Sequence, residues 1–152
     1  MIDIYLAGAM HGRLGQTVLV ERARAKAWCK WYGLTYYDPS EDEDINPTEM
    51  IDLKPDLAKM KWYINKDDAK IDQCKFLLVL TGDTSSSGTG WEMGRMHYQN
   101  HRPVIVVAPK MVHGELTNFT TVKADKLFDK VDMAVKYIFD TLRGPIHAIH
   151  PD

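Results

Sequence analysis

Two unbroken apolar runs constrain this chain most: Phe76-Leu77-Leu78-Val79-Leu80, and Val104-Ile105-Val106-Val107 behind Pro103. Neither alternates with polar residues, so each reads as a buried strand rather than a half-exposed one. Between them lies Ser85-Ser86-Ser87-Gly88-Thr89-Gly90-Trp91-Glu92-Met93-Gly94, then a helical stretch ending near Asn100. A small-residue loop joining a strand to a helix is where α/β proteins commonly hold a polar ligand. Glu92 falls in about the first turn of the predicted helix, where the dipole favours an ionised carboxylate by roughly 0.3–1 kcal/mol. With Gly90 and Gly94 on either side leaving room for a substrate, Glu92 is a candidate nucleophile. The plain alternative is a carboxylate that merely supports its own helix.

The segments before this core predict the unit that builds parallel sheets. Met1 to Ala7 reads as a strand ending at Gly8, and Gly8 to Arg13 as a flexible loop with a basic tip. From Gln16 to Tyr32, Leu19, Ala23, Ala27 and Trp31 recur every four residues, which predicts an amphipathic helix. Gly33 is its expected C-cap, and Leu34 to Tyr37 a second strand. The result is β-α-β. Asp38 to Asp44 is acidic and aperiodic, and reads as solvated surface. Asn46 to Pro55 predicts a short helix or lid. Asp56 to Gln73 carries a helical stripe of Leu57, Met60, Ile64 and Ile71, a pattern that also admits a break near Asn65.

Beyond Val107, Thr120 to Val122 reads as a short edge strand and Lys126 to Leu142 as a closing helix. Its apolar face is Leu127, Phe128, Val131, Ala134, Val135 and Ile138. The tail from Arg143, with its prolines and histidines, is expected to wrap the surface or a partner subunit. No internal repeat or linker divides residues 1–152, so one domain is expected. The predicted architecture is a single-domain α/β sandwich, flavodoxin-like or Rossmann-like, with a mostly parallel sheet of about five strands. Ligands of such sheets bind at the carboxyl ends of the strands. Three segments are expected to meet there: the loop after Tyr5, a helix start near Asp67, and the loop before Glu92.

The net charge of −2 gives no electrostatic footprint for a nucleic-acid polymer, and no basic run suggests a membrane surface. No apolar stretch approaches a membrane span, and the N-terminus reads as a strand rather than a signal peptide. Cys29 and Cys74 lack metal-ligand spacing and read as buried free thiols of a cytoplasmic protein.

Asp67 and Glu92 flank the central predicted strand. Two carboxyls in different surroundings are equipment for splitting a glycosidic bond: one attacks or stabilises the sugar cation while the other handles the leaving-group proton. From spacing alone Asp67 could equally be a solvated helix residue beside Asp68 and Asp72. A wider set of segments then bears on the choice. Ile4-Tyr5-Leu6-Ala7-Gly8, Asn65-Lys66-Asp67, Gly88-Thr89-Gly90-Trp91-Glu92-Met93-Gly94 and Gly114-Glu115-Leu116-Thr117-Asn118 stand in an order that resembles the nucleoside 2-deoxyribosyltransferase family. The resemblance covers most of the chain from Met1 to about Leu142.

That resemblance implies that Glu92 attacks the anomeric carbon to form a covalent deoxyribosyl-enzyme. Asp67 would protonate the departing base and then activate the acceptor, and Tyr5 would orient Glu92. Gly8, Arg13, Ser86, Gly88, Thr89 and Trp91 would line the substrate pocket. Asn118 would reach the sugar 5′-oxygen in a neighbouring subunit's site, which makes the protein a homo-oligomer, dimer or higher. The substrates would be a deoxynucleoside or deoxynucleotide and a free nucleobase, with no metal or organic cofactor.

Three positions depart from the family pattern. Ser86 stands where the transferases usually carry an aspartate; the related deoxynucleoside 5′-monophosphate N-glycosidases use a serine there to hold phosphate. The Gly8 to Arg13 segment is similar to the phosphate loop of those hydrolases, although Ala9 lacks a hydroxyl. Thr120 stands where methionine is frequent. A hydroxyl cluster of Ser85, Ser86 and Ser87 near Arg13 would suit a phosphate dianion. Transfer to a base is therefore the first expectation, hydrolysis of monophosphates with the same nucleophile the second, and a non-catalytic nucleotide-binding module the third. Trp28, Trp31 and Trp62 read as core or interface aromatics, and Trp91 as core with base stacking the alternative. His11 could touch a ligand. His97 and His101 lack a third metal ligand and read as surface groups, with His113, His147 and His150.

Overall fold

Parallel strands buried on both faces need helices above and below them, and the described residues supply two on each side. The computed structural model describes residues 1–8, 12–42, 57–81, 87–108 and 124–147. In chain order these form β1 (Ile2–Ala7), α1 (Gly12–Tyr32), β2 (Tyr36–Tyr37), a 3₁₀ turn (Pro39–Glu41), α2 (Leu57–Asp72), β3 (Cys74–Leu80), α3 (Ser87–Gly94), a π turn (Arg95–Gln99), β4 (Val104–Val107), β5 (Lys126–Phe128) and α4 (Val131–His147). The sheet runs in the order β2-β1-β3-β4-β5 with every pairing parallel. That is the doubly wound order, with its switch point between β1 and β3.

The strand pleat sorts side chains between two cores. Ile4, Leu6, Phe76, Leu78, Leu80, Ile105 and Val107 face α1 and α4 and pack with Ala25, Cys29, Ala134, Val135 and Ile138. Tyr5, Ala7, Leu77, Val79, Val104 and Val106 face the other way, against Ile71, Met93 and Met96. Tyr5 therefore points towards α2 and α3, the two helices that carry Asp67 and Glu92. Cys29 and Cys74 are buried free thiols, as expected, and burial pushes both up to about 12.

Several expectations need correcting. In α1 the four-residue stripe faces outwards: Leu19 is 64% and Trp31 77% exposed. The buried stripe is Val18, Arg22, Ala25 and Cys29, which follows the true 3.6-residue turn. A charged residue in it hides that stripe from a reading by hydropathy. The helix also begins at Gly12, so Gly12 and Arg13 belong to it rather than to a loop. In α2 no break occurs near Asn65, and Leu57 and Ile64 are exposed while Tyr63 and Ile71 are buried. Lys126 to Phe128 is strand β5, and the closing helix starts at Val131. Trp31 is exposed and Trp62 half-exposed, so of the two expectations for them, core or interface, the core one is overturned. The predicted lid at Asn46 to Pro55 and edge strand at Thr120 to Val122 fall outside the described residues.

The described part of the acidic stretch after β2 is not all solvated surface: Glu41 is exposed, but Asp38 and Asp42 turn inwards. Asp38 is buried: its Oδ1 accepts from Arg22 at 2.8 Å, and its Oδ2 lies 3.3 Å from Lys26 Nζ. Two buried charges are tolerated because each is paired. Arg22 also donates to the carbonyls of Leu6 and Gly8, at 3.3 and 2.8 Å, and so ties α1 to the end of β1.

Candidate active site

The site lies at the carboxyl edge of the sheet, on the α2–α3 side. Gly8 closes β1 with φ +137°, and a Cβ there would stand 2.4 Å from the carbonyl oxygen of Leu80 at the end of β3. Only glycine allows the two strand ends to approach this closely. Next to this turn, the Tyr5 hydroxyl donates to Glu92 Oε1 at 3.2 Å. The ring of Tyr5 lies 5.4 Å from that of Tyr37, its register partner on β2. The Tyr37 hydroxyl in turn donates to Asp42 Oδ2 at 2.7 Å, and Lys66 Nζ lies 2.9 Å from the other oxygen of Asp42. Asp67 follows Lys66 on α2, and its Oδ1 is buried with no hydrogen-bond partner among the described residues.

Glu92 sits in the second turn of α3, beyond the first turn where the dipole acts most strongly. Its carboxyl is correspondingly not held in the ordinary carboxylate range. Burial, with the charge of Asp67 added, pushes it up to about 8; the Tyr5 hydrogen bond and the Arg22 cation pull the other way. Burial pushes Asp67 up to about 6, reinforced by Asp42 and Asp68 and opposed by Lys66. Glu92 feels the charge of Asp67, so the two carboxyls titrate as a pair that carries one proton and one charge around neutrality. The hydroxyl of Tyr5 and the Arg22 cation favour the charge on Glu92. Glu92, the higher of the two, holds that proton at rest; the form with the proton on Asp67 and the charge on Glu92, which the Tyr5 hydroxyl and Arg22 stabilise, is the other state of the same pair. Tyr5 is raised well above its usual range by burial and by the charge of Glu92, so it stays a donor throughout.

The sequence-predicted residues separate into three sets. Tyr5, Gly8, Asp67 and Glu92 come together, although Asp67 lies well inside α2 rather than at a helix start. Gly88 and the buried Thr89 belong to the first turn of α3. Trp91 is 59% exposed and its indole N–H donates to Asp68 Oδ1 at 3.0 Å, so it is not core. Arg13 lies at the start of α1; Ser86 and Asn118 lie outside the described residues. Among the described residues no group of three acidic, histidine or cysteine side chains could hold a metal ion.

The family profile described as Nucleoside 2-deoxyribosyltransferase matches residues 4–127. The chain belongs to this family. The match spans every segment just described, from β1 to β5. A solved structure of a 2-deoxyribosyltransferase from the psychrotolerant bacterium Bacillus psychrosaccharolyticus is similar over 92% of this chain and 95% of that one, with a TM-score of 0.68 and 22% identity. At that identity the likeness speaks for the fold. No curated protein sequence matches the chain. As a nucleoside 2-deoxyribosyltransferase family member the protein is an enzyme of the deoxyribosyltransferase kind, and deoxynucleosides and nucleobases are the implied substrates. No helix among the described residues is long and apolar enough to cross a membrane.

Sequence reasoning missed four residues around this deoxyribosyltransferase-type site: Arg22, Tyr37, Asp38 and Asp42. The two aspartates sit in a stretch whose charge density suggests solvent. The available signal was Asp38-Pro39-Ser40 directly after a strand, a local capping pattern in which Asp38 Oδ1 accepts from the Ser40 N–H and hydroxyl.

Proposed function

We propose that the protein cleaves the N-glycosidic bond of 2′-deoxyribonucleosides and transfers the sugar to another nucleobase through a covalent deoxyribosyl-Glu92 intermediate. The reading is carried by one observation: two coupled carboxyls, on α2 and α3, meet at the carboxyl edge of the sheet, and only Glu92 accepts from the Tyr5 hydroxyl. In the first step an oxygen of Glu92 bonds to the anomeric carbon as the bond to the base nitrogen breaks. The proton of Asp67 passes to the base, which leaves neutral. In the second step Asp67 takes the proton of the acceptor base, whose nitrogen displaces Glu92 from the anomeric carbon. Two inversions return the original configuration.

The energetics suit this division of labour. A 2-deoxy sugar has no electron-withdrawing 2′-hydroxyl, so positive charge develops on it more easily in the transition state. A placed carboxylate then meets most of the electrostatic need. Proton transfer from Asp67 adds about 10²–10⁴-fold. A homo-oligomer in which Asn118 completes a neighbouring site belongs to the same proposal, as do Arg13 and Ser86 as pocket residues.

The second reading, hydrolysis of deoxynucleoside 5′-monophosphates, is favoured by the serine at position 86. The deciding experiment is chromatography of products from deoxynucleosides, and separately from their 5′-monophosphates, each with and without a second base. A new deoxynucleoside formed only when the base is added is the expected result. Free base released from monophosphates alone would move the assignment to the hydrolase. If neither product forms, and Glu92→Ala binds nucleotides like the parent, the protein is a non-catalytic binding module.

A further inference from the structure

Asp42 is the unexpected member of this neighbourhood. It ends the 3₁₀ turn after β2 with its backbone N–H on the Pro39 carbonyl, and its side chain is almost covered. Both carboxylate oxygens are held, one by the Tyr37 hydroxyl at 2.7 Å and the other by Lys66 Nζ at 2.9 Å. These anchors lie next to the reacting groups: Tyr37 packs on Tyr5, and Lys66 adjoins Asp67 on α2. Held on two sides, the carboxylate keeps its place beside Lys66, the residue that precedes Asp67 on α2. Its charge acts on Asp67.

We propose that Asp42 is a positioning residue for the reaction, a fixed negative charge that holds the proton on Asp67 until the leaving base takes it. The inference rests on the reading of Asp67 as the proton donor given above. The groups facing Asp67 are Tyr5 from β1, Tyr37 from β2, Asp42 from the following turn, Lys66 and Asp68 from its own helix, and Glu92 from α3. After burial, the charge of Asp42 is the strongest influence raising Asp67, and Lys66 is the one that opposes it. Lys66 is therefore doubly placed: it anchors Asp42 and tempers its effect. A like charge beside a carboxyl disfavours ionisation, so the Asp42 field keeps Asp67 protonated at pH values where an ordinary aspartate is bare.

The test is the pH dependence of kcat/KM for deoxyribosyl transfer in four proteins: parent, Asp42→Asn, Lys66→Met and Asp67→Asn. Asparagine keeps the size of Asp42 and can still meet Tyr37, but carries no charge. The alkaline limb should move down by about half a unit to one unit in Asp42→Asn, which is about a three- to tenfold loss on that limb. In Lys66→Met it should move up. Opposite shifts are not expected of damage to packing, which lowers activity equally at every pH. If neither variant moves the limb while Asp67→Asn has lost activity, the proposal for Asp42 is overturned and the role of Asp67 stands. If Asp67→Asn keeps the parent's profile, the proton-donor reading itself fails. Should Asp42→Asn not fold, Asp42→Ser carries the same test: an alkaline limb left where the parent has it overturns the proposal.

Discussion

The Tyr5 hydroxyl and Glu92 Oε1 stand 3.2 Å apart across 87 residues of sequence, and this contact joins the central sheet to the helix bearing the proposed nucleophile. The donor is buried at the end of β1, so it restrains Glu92 and favours its charged form. Tyr5→Phe removes one hydrogen bond to a charged group, worth about 1.5–3 kcal/mol. The expected result is a fall in kcat of about 10- to 100-fold, read by steady-state kinetics with a single deoxynucleoside and base. An unchanged kcat would remove Tyr5 from the site.

Glu92 should cost the fold stability. Its carboxyl is raised from an ordinary value to about 8 by burial, so the native state binds that proton more tightly than the unfolded chain does. That cost is therefore absent at acid pH and grows as pH rises from the unfolded carboxylate range through about 8. Glu92→Gln should abolish transfer while raising Tm at pH 8–9 by about 2–4 °C, with little gain at pH 4. Thermal melts of both proteins at the two pH values check the sign.

Asp67→Asn should be selective about leaving groups. The loss of about 10²–10⁴-fold expected for a missing general acid applies when the base departs poorly. A deoxynucleoside whose base is already electron-poor needs less protonation and should lose much less. Rates for a series of bases of falling basicity test this, and parallel losses across the series would speak against Asp67 as the acid.

The Arg22–Asp38 pair should be far more costly to halve than to remove. Both side chains are buried, and Arg22→Met leaves the Asp38 carboxylate with Lys26 and the Ser40 donors in place of its shorter ion pair. Breaking such a pair typically costs about 3–5 kcal/mol, whereas replacing both partners by apolar groups can be near neutral. Urea unfolding of Arg22→Met, Asp38→Leu and the double variant should show the double closer to the parent than either single.

Gly8→Ala should fail for a steric reason rather than a chemical one. The new methyl would meet the Leu80 carbonyl at 2.4 Å on a backbone with φ +137°. A destabilisation of about 1–3 kcal/mol is expected, together with reduced transfer as β1 and β3 are pushed apart. Denaturant midpoints measure the first effect.

What the sequence revealed was whatever rests on runs and motifs. The unbroken apolar strands β3 and β4 announced a sheet covered on both faces, and the segments around Tyr5, Asp67 and Glu92 announced the family. What escaped was whatever depends on pairing across space. Arg22 looks like a surface residue until Asp38 arrives beside it, and it thereby hid the buried face of α1. Lys126 to Phe128 carries apolar residues compatible with either helix or strand, and only the open edge of β4 made it a strand. From sequence Glu92 reads as a dipole-stabilised anion, because a run of small residues does not fix where its helix starts; with α3 beginning at Ser87, burial governs it instead.

The strand order places β1 between β2 and β3, so the site's groups arrive on three segments that meet only once β1 has been inserted between its neighbours. Neither hairpins nor local helix formation can assemble them, since every pairing of the sheet is parallel and long in sequence. During refolding, helical signal should therefore return well before any turnover. Catalysis in this chain is a late reporter, one that registers the closing of the middle of the sheet.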